Sequence, residues 1–195
     1  MATNQETQSA DRSVWQADPF HTQVEFAAKH LGMMTVRGHF AEVSVTGHID
    51  PAHPEALAID VTVQTASIKT NHPKRDDDLR ASGFLEADTY PTITFKSTKV
   101  EPFGENRYAL TGDLTIKGVT RPVTLNGVVY EEFNDPHMGH RFGYSAEGQI
   151  NRKDFGMSFN VMLDGKYIVS DEIQIQIEGE IVEQKQESGP GNASA

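Results

Sequence analysis

The sequence predicts an all-β fold, an eight-stranded antiparallel β-barrel with one short helical insertion near residues 74–88. Three observations carry this prediction. Apolar and polar residues alternate with a period of two along most of the chain. Turn-forming residues separate the alternating runs. One segment, 70–91, lacks the alternation altogether. Strict alternation marks a strand with one apolar and one wetted face. Strands of that kind hide their apolar faces by closing into a barrel or by stacking as two sheets. Several runs reach 10–15 residues, which favours a barrel over a compact sandwich. An eight-stranded barrel is about wide enough to hold one small ligand.

The strands are expected near 14–29, 34–48, 57–68, 92–100, 107–116, 122–133, 141–151 and 171–184. Asp18-Pro19 divides the first into two short pieces. In LAIDVTV, residues 57–63, Leu57, Ile59, Val61 and Val63 share one face. In DEIQIQIEGE, residues 171–180, Ile173, Ile175 and Ile177 do the same. Turns are signalled at Asp50-Pro51, Gly104-Glu105-Asn106, Lys117-Gly118, Asn134-Asp135-Pro136 and Asp164-Gly165. Within 70–91, Thr70 or Asn71 suits a helix cap, Pro73 a first turn, and Asp76, Asp77 and Asp78 the positive end of a helix. The spacing predicts a helix over 74–81 with Leu79 inward, then a turn packing Phe84 and Leu85. The polar ends, 1–12 and 185–195, carry too few apolar groups to offset the entropy of ordering and are expected to be disordered. One domain, 13–184, lies between them.

Composition excludes several functions. Of the 195 residues, 17 are Lys or Arg and 28 are Asp or Glu, a net charge of −11. A nucleic-acid partner is therefore not expected, because phosphate binding needs a basic field. The absence of cysteine removes disulfides and thiolate chemistry. No window approaches the ~20 apolar residues of an integral membrane helix. The N-terminus, MATNQETQSADRS, lacks the apolar core of a secretory signal, which makes the cytoplasm the expected compartment, with a processed periplasmic or secreted chain as the alternative.

Catalytic motifs are missing: no G-x-S-x-G, H-E-x-x-H, P-loop or dinucleotide fingerprint occurs. No catalytic residue, metal ligand or cofactor is assigned. His21, His30, His39 and His48 recur every nine residues, but an odd spacing alternates faces along a strand and cannot gather them. His137 and His140 fit a solvated loop, and Asp76-Asp77-Asp78 fits a charged helix start. Arg152, in INRKDFGMSF, suits either an anionic head group or a structural ion pair with Asp76 or Asp171. Lys117 and Arg121, in KGVTR, suit a hairpin turn or the same head group.

The motifs also occur in a telling order. Trp15 is followed by Asp18-Pro19 with His21-Thr22, Val24-x-Phe26 and His30, then by Val36-x-Gly38-x-Phe40. Next comes Arg75-Asp76-x-x-Leu79, with Phe84-Leu85 and Tyr90-Pro91-x-Ile93-x-Phe95-x-Ser97-Thr98. Gly112-x-Leu114-Thr115-Ile116-Lys117-Gly118-Val119-Thr120-Arg121 and Arg152-x-Asp154-Phe155-Gly156 complete the series. The chain resembles the YceI-like, polyisoprenoid-binding family along nearly all of its ordered length. The resemblance implies an extended lipocalin-like barrel with a small helical element and a long isoprenoid or other amphiphilic chain in its apolar pore. It differs from many relatives in lacking a secretion signal and in carrying Asp78 where they often have His.

The expected function is a non-enzymatic carrier or store for a long-chain lipid such as an isoprenoid quinone or a polyprenyl phosphate. Two rival expectations are an enzyme acting on a small hydrophobic substrate in the same cavity and a filled barrel that binds a protein partner. Parity places Phe26, Val61, Val63, Ile93 and Phe95 inward, together with Leu114, Ile116, Val123, Leu125 and Ile175. Phe40, Phe84 and Phe155 are expected to line or close the mouth. His30, Lys117, Arg121 and Arg152 are the candidate head-group contacts. Family habit adds a homodimer.

Overall fold

Alternation becomes strand almost wherever it occurs. The structure, a computed structural model, describes residues 14–184; the tails expected at 1–12 and 185–195 lie outside the described residues. The strands are β1 (Val14–Ala17), β2 (Gln23–His30), β3 (Met34–Phe40), β4 (Val43–His48), β5 (Ala58–Gln64) and β6 (Ile68–Lys69). After the helix α1 (Pro73–Arg80) come β7 (Thr92–Gly104), β8 (Arg107–Ile116), β9 (Val119–Asp135) and β10 (Gly139–Asn151). A small hairpin, β11 (Met162–Leu163) and β12 (Lys166–Tyr167), precedes the final β13 (Val169–Gln184). The first three expected strands are each split in two, so eight runs make an eleven-stranded antiparallel sheet in the order β4-β5-β7-β8-β9-β10-β13-β2-β3-β6, with β1 also on β13.

The splits explain the curvature. The β3–β4 and β5–β6 pairs bend together, so that β4 and β5 begin the sheet while β3 and β6 end it. The corner is pinned by backbone bonds from Ala41 to Ser67 (3.1 Å) and from Gln64 to Glu42 (3.0 Å). The Ser67 hydroxyl donates to the Gln64 carbonyl at 2.7 Å, and the Thr65 hydroxyl to that of Tyr90 at 2.8 Å. The sheet thus curls into a half-barrel. Among the described residues no ladder joins β4 to β1 or β2 along the rest of the seam.

Register follows parity. Val61 pairs with Phe95 and Phe95 with Leu114, while Ile175 pairs with Phe26 and Leu110 with Leu125. These inward residues meet on one apolar surface. At one end of the half-barrel Ile68, Leu85, Phe95, Leu114, Ile116, Ile150, Phe155 and Met157 form a fully buried cluster, against which Leu79 of α1 packs.

The helix is locked by its own motif. His72, not Thr70 or Asn71, caps it, accepting from the Arg75 amide at 3.3 Å. Asn71 takes a left-handed φ of 60°, which turns the chain into that cap. Thr70 instead donates to the buried Asp76 carboxylate from its amide (2.8 Å) and its hydroxyl (2.5 Å). Arg75 then holds Thr70 through the hydroxyl (2.8 Å) and the carbonyl (2.7 Å). Burial pushes the Asp76 carboxyl up, but the Thr70 donors and nearby cations outweigh it and leave it below the usual range.

Candidate ligand-binding cavity

The half-barrel encloses a cavity of about 340 Å³, within the usual range for ligand pockets. Its walls are almost wholly apolar. On β8 alone, Tyr108, Leu110, Leu114 and Ile116 face it. Eight residue steps from 108 to 116 at about 3.4 Å each make a run of about 27 Å, whereas a round cavity of about 340 Å³ would be only about 9 Å across. The space is therefore long and narrow, a shape for an extended chain.

One end is plugged and the other is not. The lining residues near α1 (Ile68, Leu85, Ile116, Ile150 and Met157) are all buried. Towards the opposite end, Leu57, Ile59, Val100, Tyr108, Val129 and Ile177 are only half-buried. The mouth is thus framed by the 49–57 loop and the β7–β8, β9 and β10 walls.

The walls are smoothed by ring-on-glycine contacts. The Phe95 ring lies across Gly112, and the Phe26 ring across Gly38; a Cβ at either glycine would fall 2.3 Å or 2.5 Å from the ring. Each glycine lets an inward ring lie flat against the wall instead of crossing the lumen. This explains why Gly38 and Gly112 sit inside the Val36-x-Gly38-x-Phe40 and Gly112-x-Leu114 motifs.

Of the thirteen residues expected in the pore, twelve line the cavity: Phe26, Phe40, Val61, Val63, Phe84 and Ile93, then Phe95, Leu114, Ile116, Val123, Leu125 and Ile175. Phe155 does not. It is 1 % exposed in the short turn 152–155 and belongs to the plug. Neither Phe40 nor Phe84 closes the mouth. Phe40 pairs with Ile68 at the corner, and Phe84 stacks on Phe159 with ring centres 4.9 Å apart, beside the plug. Sequence reading passed over the mouth residues Tyr108, Tyr144 and Leu110, although the parity that placed Leu114 also places Tyr108 and Leu110 inward.

The four expected head-group cations are not gathered. His30, Lys117 and Arg121 do not line the cavity. His30 is exposed with its Nδ1 2.9 Å from the Ile168 carbonyl, and Arg121 is exposed near the start of β9, paired with Leu114. Lys117, with only 9 % of its side chain exposed, pairs with Glu86 at 2.7 Å and donates to the Gly156 carbonyl at 3.2 Å. The basic turn thus fastens the hairpin to the segment after α1. The Lys117 ammonium holds the Glu86 carboxyl below its usual range. Arg152 does touch the cavity, at its plugged end. Its guanidinium donates to the carbonyls of Ser170 (3.0 Å), Met157 (2.6 Å) and Phe159 (2.8 Å) and to Asp171 (3.1 Å). Between the two sequence readings of Arg152, this geometry is that of the structural ion pair, with Asp171 as the partner.

The histidines spaced nine apart are scattered along β2, β3 and β4, apart from His21 in the turn before β2. Asp18, His21 and Glu180 do approach one another. Their atoms are already engaged: His21 Nδ1 lies 2.8 Å from Asp18, and Glu180 receives Arg141 at 2.6 Å. Nearby, Trp15 of β1 packs edge-on against His140 (4.9 Å) and Phe142 (5.2 Å), anchoring β1 to β10.

The sequence model of the YceI-like domain matches residues 15–181. The chain belongs to the YceI-like family. It is 39 % identical over 165 residues to the YceI protein of Escherichia coli O157:H7, covering 85 % of this chain and 83 % of that protein. Among solved structures the YceI-like half-barrel is similar to BcnA of Burkholderia cenocepacia, with a TM-score of 0.74, 26 % identity, and coverage of 85 % of this chain and 99 % of that one. The fold also matches a polyisoprenoid-binding domain from Saccharophagus degradans, with a TM-score of 0.64 at 12 % identity, covering 89 % of this chain and all of that domain.

Proposed function

We propose that the protein binds a single long-chain isoprenoid, or a similar amphiphilic lipid, along the axis of the half-barrel and serves as its carrier or store. The observation that carries this reading is the cavity's shape and chemistry together: long, narrow, almost wholly apolar, and open at the end away from the helix. An apolar chain drawn from water into such a space gains about 0.8 kcal/mol per buried methylene. The Saccharophagus degradans neighbour, which is a polyisoprenoid-binding domain, supports the same reading.

Native mass spectrometry of the purified full chain tests the proposal. The expected spectrum shows one non-covalent adduct in the mass range of a polyisoprenoid lipid, which organic extraction removes and added polyprenol restores. A protein that is always empty and never takes up polyprenol contradicts the proposal.

A further inference from the structure

We propose that the protein docks on the surface of a lipid bilayer through two apolar hairpin tips at its plugged end, the β2–β3 turn and the β11–β12 hairpin.

The fold sets the two tips side by side. His30, the last residue of β2, pairs with Val169 at the start of β13, and the Leu31 amide donates to the Ile168 carbonyl at 3.3 Å. The crevice between the tips is lined by Leu31 and Met33 from one and by Lys166 and Tyr167 from the other. Met33, Met34, Met162, Leu163 and Tyr167 are each half to two-thirds exposed. Large apolar side chains grouped in water mark an interaction surface.

The exposure is built in. Arg152 holds the carbonyls of Met157 and Phe159 before the β11–β12 hairpin and that of Ser170 after it. The Asn160 side chain donates to the Val169 carbonyl at 2.8 Å and accepts from the Val169 amide at 3.3 Å. Asp164 and Gly165 turn the tip with φ of 48° and 75°, the tight two-residue turn of a hairpin. A fixed base thus presents residues 161–167, all exposed, away from the core.

Three features suit a bilayer rather than a protein partner. The first is size. Five side chains on two tips fall far short of the roughly 20–30 residues a side of a stable protein interface. A bilayer needs no matching shape and takes up apolar side chains to a depth of about 5–10 Å. The second is charge. The chain carries −11 overall, yet residues 29–37 contain Lys29 and Arg37 and no Asp or Glu. Over 152–171 the cations Arg152, Lys153 and Lys166 offset Asp154, Asp164 and Asp171. The net acidity therefore lies elsewhere, and Lys29, Lys153 and Lys166 are exposed where lipid phosphates would meet them. Lys153 Nζ lies 5.7 Å from the centre of the Tyr167 ring, and a Tyr beside a Lys suits the head-group level of a membrane. The third is continuity. Phe159, 40 % exposed, stacks on Phe84, which lines the cavity, so apolar surface runs from the tips past the plug to the lumen. Only this third feature rests on the lipid-pore reading.

The test is co-sedimentation of the purified full chain with vesicles of phosphatidylcholine and phosphatidylglycerol. The wild type should pellet with the vesicles. Met162→Ser/Leu163→Ser and Met33→Ser/Met34→Ser should each lower the partition coefficient about tenfold or more, because each withdraws two large apolar side chains from the membrane. All four residues are exposed, so the melts of both variants should match the wild type. Phe103→Ser, exposed at the mouth end of β7, should change nothing. The emission of Leu163→Trp should shift to the blue on adding vesicles, over the constant signal of the buried Trp15. A wild-type chain that stays in the supernatant overturns the proposal. Loss of binding in Phe103→Ser with both tip variants unaffected overturns it too, since the mouth would then face the membrane. A native dimer that the tip variants split into monomers does the same, since a second copy would then cover the tips. The pellet is read whether or not the lumen holds lipid, so failure here leaves the lipid-pore reading standing, and an empty lumen leaves this proposal standing.

Discussion

Arg152 is 1 % exposed and gives four hydrogen bonds, three of them to backbone carbonyls. It ties the turn 152–155 to the start of β13 and so holds the plug in place. Arg152→Met should lower stability by about 3 kcal/mol, because the carbonyls and Asp171 lose their partner while Lys153 still offsets part of the Asp171 charge. Denaturant unfolding measures this, and lipid bound per folded molecule should not change. Lys117 makes a second prediction. The Glu86 carboxyl is held below its unfolded value, so its pairing stabilises the fold above the ordinary carboxylate range. That contribution disappears as the pH falls through the lowered value. Lys117→Met should therefore be less stable than wild type at neutral pH, and melts of the two should converge in acid. A gap that stays constant with pH would mean that Lys117 acts through packing of its stem rather than through Glu86.

At the scale of elements, the inward glycines couple neighbouring strands. Gly112 carries the Phe95 ring and also approaches the Lys96 carbonyl, where an added Cβ would lie 2.5 Å away. Gly112→Ala should cost about 1–3 kcal/mol as overpacking, and the loss should persist in Gly112→Ala/Phe95→Leu, because the backbone contact remains. Thermal or denaturant unfolding of the single and double variants checks both statements. Much at this scale was legible in the sequence. Alternation located the eleven strands of the main sheet within eight runs, and it placed Val61, Phe95, Leu114 and Ile175 on the lumen face. Of the β11–β12 hairpin only the turn, Asp164-Gly165, was legible, because two-residue strands with exposed Met162, Leu163, Lys166 and Tyr167 show no period. The partners of the cations were not legible either. Parity assigns a face to a strand residue, but Lys117 sits in a turn, and its partner Glu86 is brought to it only by the packing of the segment after α1.

At the scale of the whole molecule, the curled sheet presents an inner face that is apolar along about 27 Å. Its glycines and flat-lying rings keep the lumen open, and the helix with its plug closes one end. On the function proposed above, this lumen is ligand space. Val61 lines it from β5, half-buried and opposite Phe95. The most direct test is the lipid-to-protein ratio of folded Val61→Trp against wild type by native mass spectrometry. The indole should occupy the room that lipid uses, so the folded variant is expected to lose bound lipid at least severalfold. A folded Val61→Trp that keeps the full wild-type lipid complement would contradict it.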